Sequence, residues 1–154
     1  MVRLTKISFN KIRDLIELAY EGDNELIQNY PAYINREFDG TITQEHCVNI
    51  QMVMIKDAEN ELPNEVNYYK AIYNDVAIGY VVTFKDVLYS FAINKHYRKA
   101  NILKEFFEAI CKVLPQKFGC VLYKNNTPAI NWLVKCGMLQ EENTDVKSVT
   151  LVKI

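Results

Sequence analysis

The sequence predicts an α/β fold built on a mixed sheet, with helices on both of its faces. Three observations carry that expectation. Three β-rich runs follow one another between Val66 and Ile93, separated only by two-residue turns. An amphipathic stripe of helical spacing begins a few residues later. A further apolar run, Phe118 to Lys124, then returns after a crossover long enough to lie parallel to the strand before it.

The elements can be justified in order. "VRLTKIS" alternates apolar and polar residues and reads as a strand from Val2 to Ile7. Ser8 is placed to cap a helix carrying Phe9, Ile12, Leu15, Ile16 and Ala19 on one side. After Glu21-Gly22-Asp23, one or two short helical pieces follow, and Pro31 is expected to divide them because it lacks an N–H to donate. The segment from Thr41 to Asn60 fits alternation at Val48, Ile50, Met52 and Met54, and also helical spacing at Cys47, Ile50, Met54 and Ala58. Its length favours a helix, with Thr41 and Gln44 as a capping box.

Strands are expected at Val66–Tyr73, Val76–Phe84 and Val87–Ile93, turning at Asn74-Asp75 and Lys85-Asp86. The helix from about Arg98 carries Ile102, Leu103, Phe106, Phe107, Ile110, Val113 and Leu114 inward, and Pro115 ends it. After the fifth strand, Thr127 and Pro128 open a short helix that stops at Gly137. Two last strands flank a turn near Glu142-Asn143-Thr144-Asp145. The order is β-α-α-β-β-β-α-β-α-β-β over one domain, residues 1 to 154.

Composition narrows the function classes. A net charge of −1 argues against broad nucleic-acid binding, which requires a concentrated basic face. No apolar run approaches a membrane span, and the charged start "MVRLTKISFNKIRDL" is unlike a signal peptide. The expected setting is the cytoplasm, or a particle assembled in one. Cys47, Cys111, Cys120 and Cys136 show no C-x-x-C pairing and read as small core residues. His46 and His96 make no metal-ligand spacing, so no metal is expected. A Lys-, Asn-, Ile- and Tyr-rich composition points to an AT-rich genome, such as that of a phage.

Two stretches carry a resemblance. "NNTPAINWLVKCGM", Asn125 to Met138, sets Asn126, Ala129, Ile130, Trp132, Leu133, Lys135 and Gly137 in a short helix closed by glycine. "YSFAINKHYRKANILKEFF" runs a strand through Tyr97-Arg98 into an apolar-striped helix. Together with the element order, these resemble the GNAT superfamily of acyl-CoA-dependent N-acyltransferases, well over Val66 to Met138 and by element order before that.

The resemblance implies acetyl-CoA as co-substrate and direct attack of an amine on its thioester. It places the pyrophosphate on the backbone amides of Arg98, Lys99, Ala100, Asn101 and Ile102, at a helix N-terminus. It places the acyl carbonyl and pantetheine arm along the backbone of Phe91, Ala92 and Ile93. Asn126 would face that arm, or else cap its own helix. The sequence departs from the family at three positions. Asn101 and Leu103 occupy the two loop-glycine positions, and Leu133 stands where a tyrosine commonly protonates the departing thiolate.

No general base is evident: Asp86 falls in a turn, and Tyr89 and Ser90 are poor bases at ordinary pKa values. Proximity alone can still supply most of the rate. Tyr30 and Tyr33 line the acceptor site in this resemblance, or else are half-buried anchors. Lys95, His96, Arg98 and Lys99 cluster at a helix start, which calls for an anion or an acidic partner. The expected activity is N-acylation of a small-molecule or protein amine. The alternative is an inactive protein of the same fold, serving in a phage virion or binding a host protein, as a protein partner or homo-oligomer.

Overall fold

The computed structural model describes residues 1–141 and 147–154; the turn expected at Glu142-Asn143-Thr144-Asp145 lies outside them. Seven strands form one sheet: β1 (Val2–Ile7), β2 (Val66–Tyr73), β3 (Val76–Phe84), β4 (Val87–Ile93), β5 (Gly119–Tyr123), β6 (Leu139–Glu141) and β7 (Ser148–Val152). Their spatial order is β1-β2-β3-β4-β5-β7-β6, antiparallel throughout except for the β4–β5 pair. The three central strands have the bounds their alternation predicts. Asn74 and Asp75 take φ of 50° and 65° in the first turn, and Lys85 takes 53° in the second, the left-handed values such tight hairpins require.

Helices α1 (Ile12–Tyr20), α2 (Asn24–Tyr33) and α3 (Gln44–Glu61) cover one face. There Ile12, Ile16, Ile55, Tyr80 and Val82 form a buried cluster. On the opposite face, α4 (Ala100–Val113) and α5 (Thr127–Lys135) close a second cluster around Ile78, Leu88, Phe106, Ile110, Leu133 and Leu151. Burying each such side chain contributes roughly 1.5–3 kcal/mol.

Local chemistry shifts several expected boundaries. Three helices, not two, separate β1 from β2. Ser8 caps no helix; it precedes a 3-10 turn at Phe9–Lys11 and donates to Asn10 Oδ1, and α1 starts only at Ile12. Pro31 does not divide α2. It lies in the last turn, where only one internal hydrogen bond is lost, and the helix end is held by Ile34 N–H donating to the Tyr30 carbonyl. The cap of α3 is Thr43 rather than Thr41: its hydroxyl accepts from His46 N–H, while His46 Nδ1 accepts from Thr43 N–H. Asn126, not Thr127, is the N-cap residue of α5. Gly137 does end α5, at φ +101°. Cys47 and Cys120 are buried, Cys111 and Cys136 half-buried, and all four are free thiols.

Candidate active site in the parted sheet

The parallel pair touches only at its start. Val87 registers with Gly119, and Gly119 N–H donates to the Asp86 carbonyl at 3.0 Å; beyond this point β4 and β5 separate. A bulge helps to bend β4 away. Val82 faces Ser90 but Thr83 faces Leu88, so Tyr89 is an extra, unpaired residue. Gly79 lets β4 pass close to β3. A Cβ there would stand 2.1 Å from the Ala92 carbonyl oxygen, so no other residue fits without a shift of backbone.

The separation opens a cavity of about 440 Å³ that runs between the two helical layers. Phe91, Ala92 and Ile93 line it from β4, with Val121, Leu122 and Tyr123 opposite on β5. Asn94 N–H donates to the Ile78 carbonyl, which anchors the alternation of the β3–β4 ladder. By that alternation the backbone groups of Phe91 and Ile93 face the gap, while those of Ala92 face β3. Phe91 thus turns its N–H and its carbonyl to the gap and Ile93 its N–H, the Ile93 carbonyl being taken by Arg98.

One wall of the cavity is polar. Tyr80 Oη lies 2.9 Å from Ser90 Oγ, and Ser90 donates to Gln51 Oε1 at 2.8 Å. Gln51 Nε2 in turn donates to Tyr30 Oη. All four residues are buried and line the cavity, which Tyr20, Tyr33 and Tyr89 also reach. Burial pushes the Tyr80 phenol up to about 12, and raises those of Tyr20 and Tyr30 as well. These hydroxyls stay protonated at neutral pH and act as donors, not bases.

The other wall is aromatic. Trp132 stacks on Phe106 at 5.6 Å, tilts against Phe91 at 5.7 Å and meets Phe107 edge-on at 6.1 Å. Its indole N–H is buried with no hydrogen-bond partner among the described residues. Asn126 also lines the cavity, and its side chain makes no capping bond although it is the N-cap. Leu103 lies on this wall without closing it. Tyr97 instead packs edge-on against Tyr73 at 6.3 Å.

The loop expected to hold phosphate is placed differently from its neighbours. A 3-10 turn at Lys95–Tyr97 precedes α4, so the helix begins at Ala100 rather than Arg98. Lys99 is the N-cap residue, no side chain caps the helix, and the first-turn amides of Ala100, Asn101 and Ile102 point out of its start. Asn101 is exposed and Ile102 is buried in the core. Arg98 does not reach outward. Its Nη1 donates to Asp23 Oδ2 at 2.6 Å and its Nε to the Ile93 carbonyl at 3.0 Å. Asp23, itself buried, also caps α2 by accepting from Leu26 N–H. Leu133 is fully buried and does not line the cavity, so no acid occupies its position. Asp23 and Glu25 are carboxylates of the cavity wall that the motif reading missed: the basic cluster around Arg98 called for an anion or an acidic partner, but no local signal pointed to one 75 residues earlier.

No protein-family profile and no curated protein matches the chain. Solved structures do. An acetyltransferase from Thermus thermophilus superposes with TM-score 0.67 at 15% identity, over 99% of this chain and 96% of that one. Aminoglycoside acetyltransferase AAC(6')-Ib, solved with coenzyme A, gives 0.63 at 14% identity over 99% and 94%. The PaiA N-acetyltransferase of Thermoplasma acidophilum, also solved with coenzyme A, gives 0.61 at 14% over 99% and 98%. The strand order, the parting parallel pair and the helices on each face agree with these likenesses: the chain has the GNAT acetyltransferase fold.

Proposed function

We propose that the chain is an acyl-CoA-dependent N-acyltransferase that uses acetyl-CoA as co-substrate and acylates an amine by direct attack on the thioester. The observation that carries this reading is the parting of β4 and β5 after Val87 and Gly119, which turns the backbone of Phe91 and the Ile93 N–H to the gap. The gap fits an extended arm bearing amides. It offers that backbone, the uncommitted Asn126 side chain and an apolar wall at Trp132, Phe106 and Leu103. The amides at the start of α4 are positioned for phosphate, with Lys99 beside them.

When bound, the thioester would supply an acyl carbon open to attack: the C–N bond forms as the C–S bond breaks, coenzyme A leaves as the thiolate, and the proton lost by the amine passes through solvent to that thiolate. The chain's part is to align the two reactants across the gap. The acceptor would enter beneath α1, α2 and α3, where Glu25 favours a cation and the tyrosine faces can hold one.

Calorimetric titration with acetyl-CoA tests the proposal. Micromolar binding is expected; no heat at millimolar ligand would overturn it. A second reading is a catalytically inactive binding or structural protein that kept the fold, such as a phage virion or host-interaction component. The capture of Arg98 by Asp23 and the burial of Leu133 favour it, and it predicts the silent titration.

A further inference from the structure

Hydrogen-bond capacity gives the polar wall a direction. Ser90 has a single hydroxyl proton and spends it on Gln51 Oε1, so Tyr80 must be the donor in the Tyr80–Ser90 bond. Gln51 then gives an amide proton to Tyr30 Oη. The chain therefore runs Tyr80 to Ser90 to Gln51 to Tyr30. Two protons are left over at its end: the Tyr30 hydroxyl proton and the second Gln51 amide proton. Among the described residues neither has an acceptor, though both side chains are at least nine-tenths buried and line the cavity. Bonds in such a chain polarise one another, so the terminal donor is a stronger one than an isolated phenol.

A buried donor without a partner is costly, and a ligand oxygen would relieve that cost. The charge of the neighbouring wall limits which oxygen. Arg98 and Asp23 neutralise each other, which leaves no free cation to hold a carboxylate and leaves Glu25 to repel one. A neutral carbonyl meets the donors without that penalty, and Glu25 attracts the amine.

We propose that the acceptor is an α-amino amide, the group found at a peptide N-terminus, with its carbonyl oxygen held by Tyr30 Oη–H and Gln51 Nε2–H. This rests on the acyltransferase reading of the same cavity. It assigns Tyr30 and Gln51 as specificity-determining residues, with Ser90 and Tyr80 positioning them.

The test is equilibrium binding to the protein saturated with coenzyme A, measured by calorimetry with alaninamide, alanine and sec-butylamine. Alaninamide is expected to bind at least about tenfold tighter than either of the others, the scale of one buried hydrogen bond to an otherwise unpaired donor. In Tyr30→Phe, which keeps the ring, the alaninamide advantage should fall to within about twofold while coenzyme A affinity is unchanged. Equal binding of alaninamide and sec-butylamine by the unaltered protein overturns the assignment without recourse to a variant. So does a Tyr30→Phe variant that weakens both amines alike. A protein that takes up coenzyme A yet shows no amide preference leaves the acyltransferase reading intact; one that gives no heat with coenzyme A removes both.

Discussion

The two walls of the parted sheet satisfy their polar groups in opposite ways. Beneath α1, α2 and α3, side chains from four elements bond to one another: Tyr80 and Ser90 from neighbouring strands, Gln51 from α3 and Tyr30 from α2. Beneath α4 and α5 the wall is a stack of rings, and its polar atoms are left uncommitted, the Trp132 indole N–H and the Asn126 amide among them. An internally bonded wall is rigid before any ligand arrives and can select by shape and hydrogen bonding. An apolar wall with spare polar groups is completed by a partner that brings its own amides. Under the proposed function, acceptor selection falls to the first wall and cofactor holding to the second.

The strongest way to break this division is to charge the cofactor side alone. Asn101→Glu places a carboxylate beside the α4 amides, where phosphate is proposed to sit. Acetyl-CoA affinity should fall by about two orders of magnitude, or roughly 2.7 kcal/mol, in a calorimetric titration. Folding stability should be unchanged or slightly higher, because Asn101 is exposed and an anion suits a helix N-terminus. Unaltered affinity would place the phosphates elsewhere.

A second variant attacks the hinge the two walls share. Gly79→Ala drives a methyl group into the Ala92 carbonyl and should cost roughly 1–3 kcal/mol in urea unfolding. Since Ala92 also borders the cavity, ligand affinity should drop with it.

The smallest effect sharpens the chemistry of the tyrosine wall. Tyr80 is stabilised in its neutral form by burial, with a folded value of about 12 against an ordinary value near 10. Its contribution is therefore complete below pH 10 and is lost as pH rises from 10 towards 12, at about 1.4 kcal/mol per unit. Stability followed by far-ultraviolet dichroism should begin to fall above pH 10, and Tyr80→Phe should flatten that fall.

The legibility of these features in the sequence depended on how far apart the interacting residues lie. The strands from Val66 to Ile93 were readable to the residue because alternation and the Asn74-Asp75 turn are both local signals. The Gly137 stop of α5 was local too, while its cap was read one residue late, at Thr127 instead of Asn126. Arg98 was placed in the right loop, but its direction is decided by Asp23, 75 residues earlier. Trp132 stands half-buried on the cavity wall among Phe91, Phe106 and Phe107, ring contacts from two other elements that no local spacing announces. The Ser90–Gln51 bond spans 39 residues and joins a strand to a helix that no motif connects. Sequence patterns reported which side chains were available; tertiary packing decided which of them met.

Trp132 has one more consequence. It is the chain's sole tryptophan, and it stands wedged between a strand and a helix at the place where the sheet divides. Indole emission follows the polarity around the ring, so the protein carries an optical gauge of its own interior at that one point. A molecule threading the sheet should announce itself as a change of colour, with no label attached.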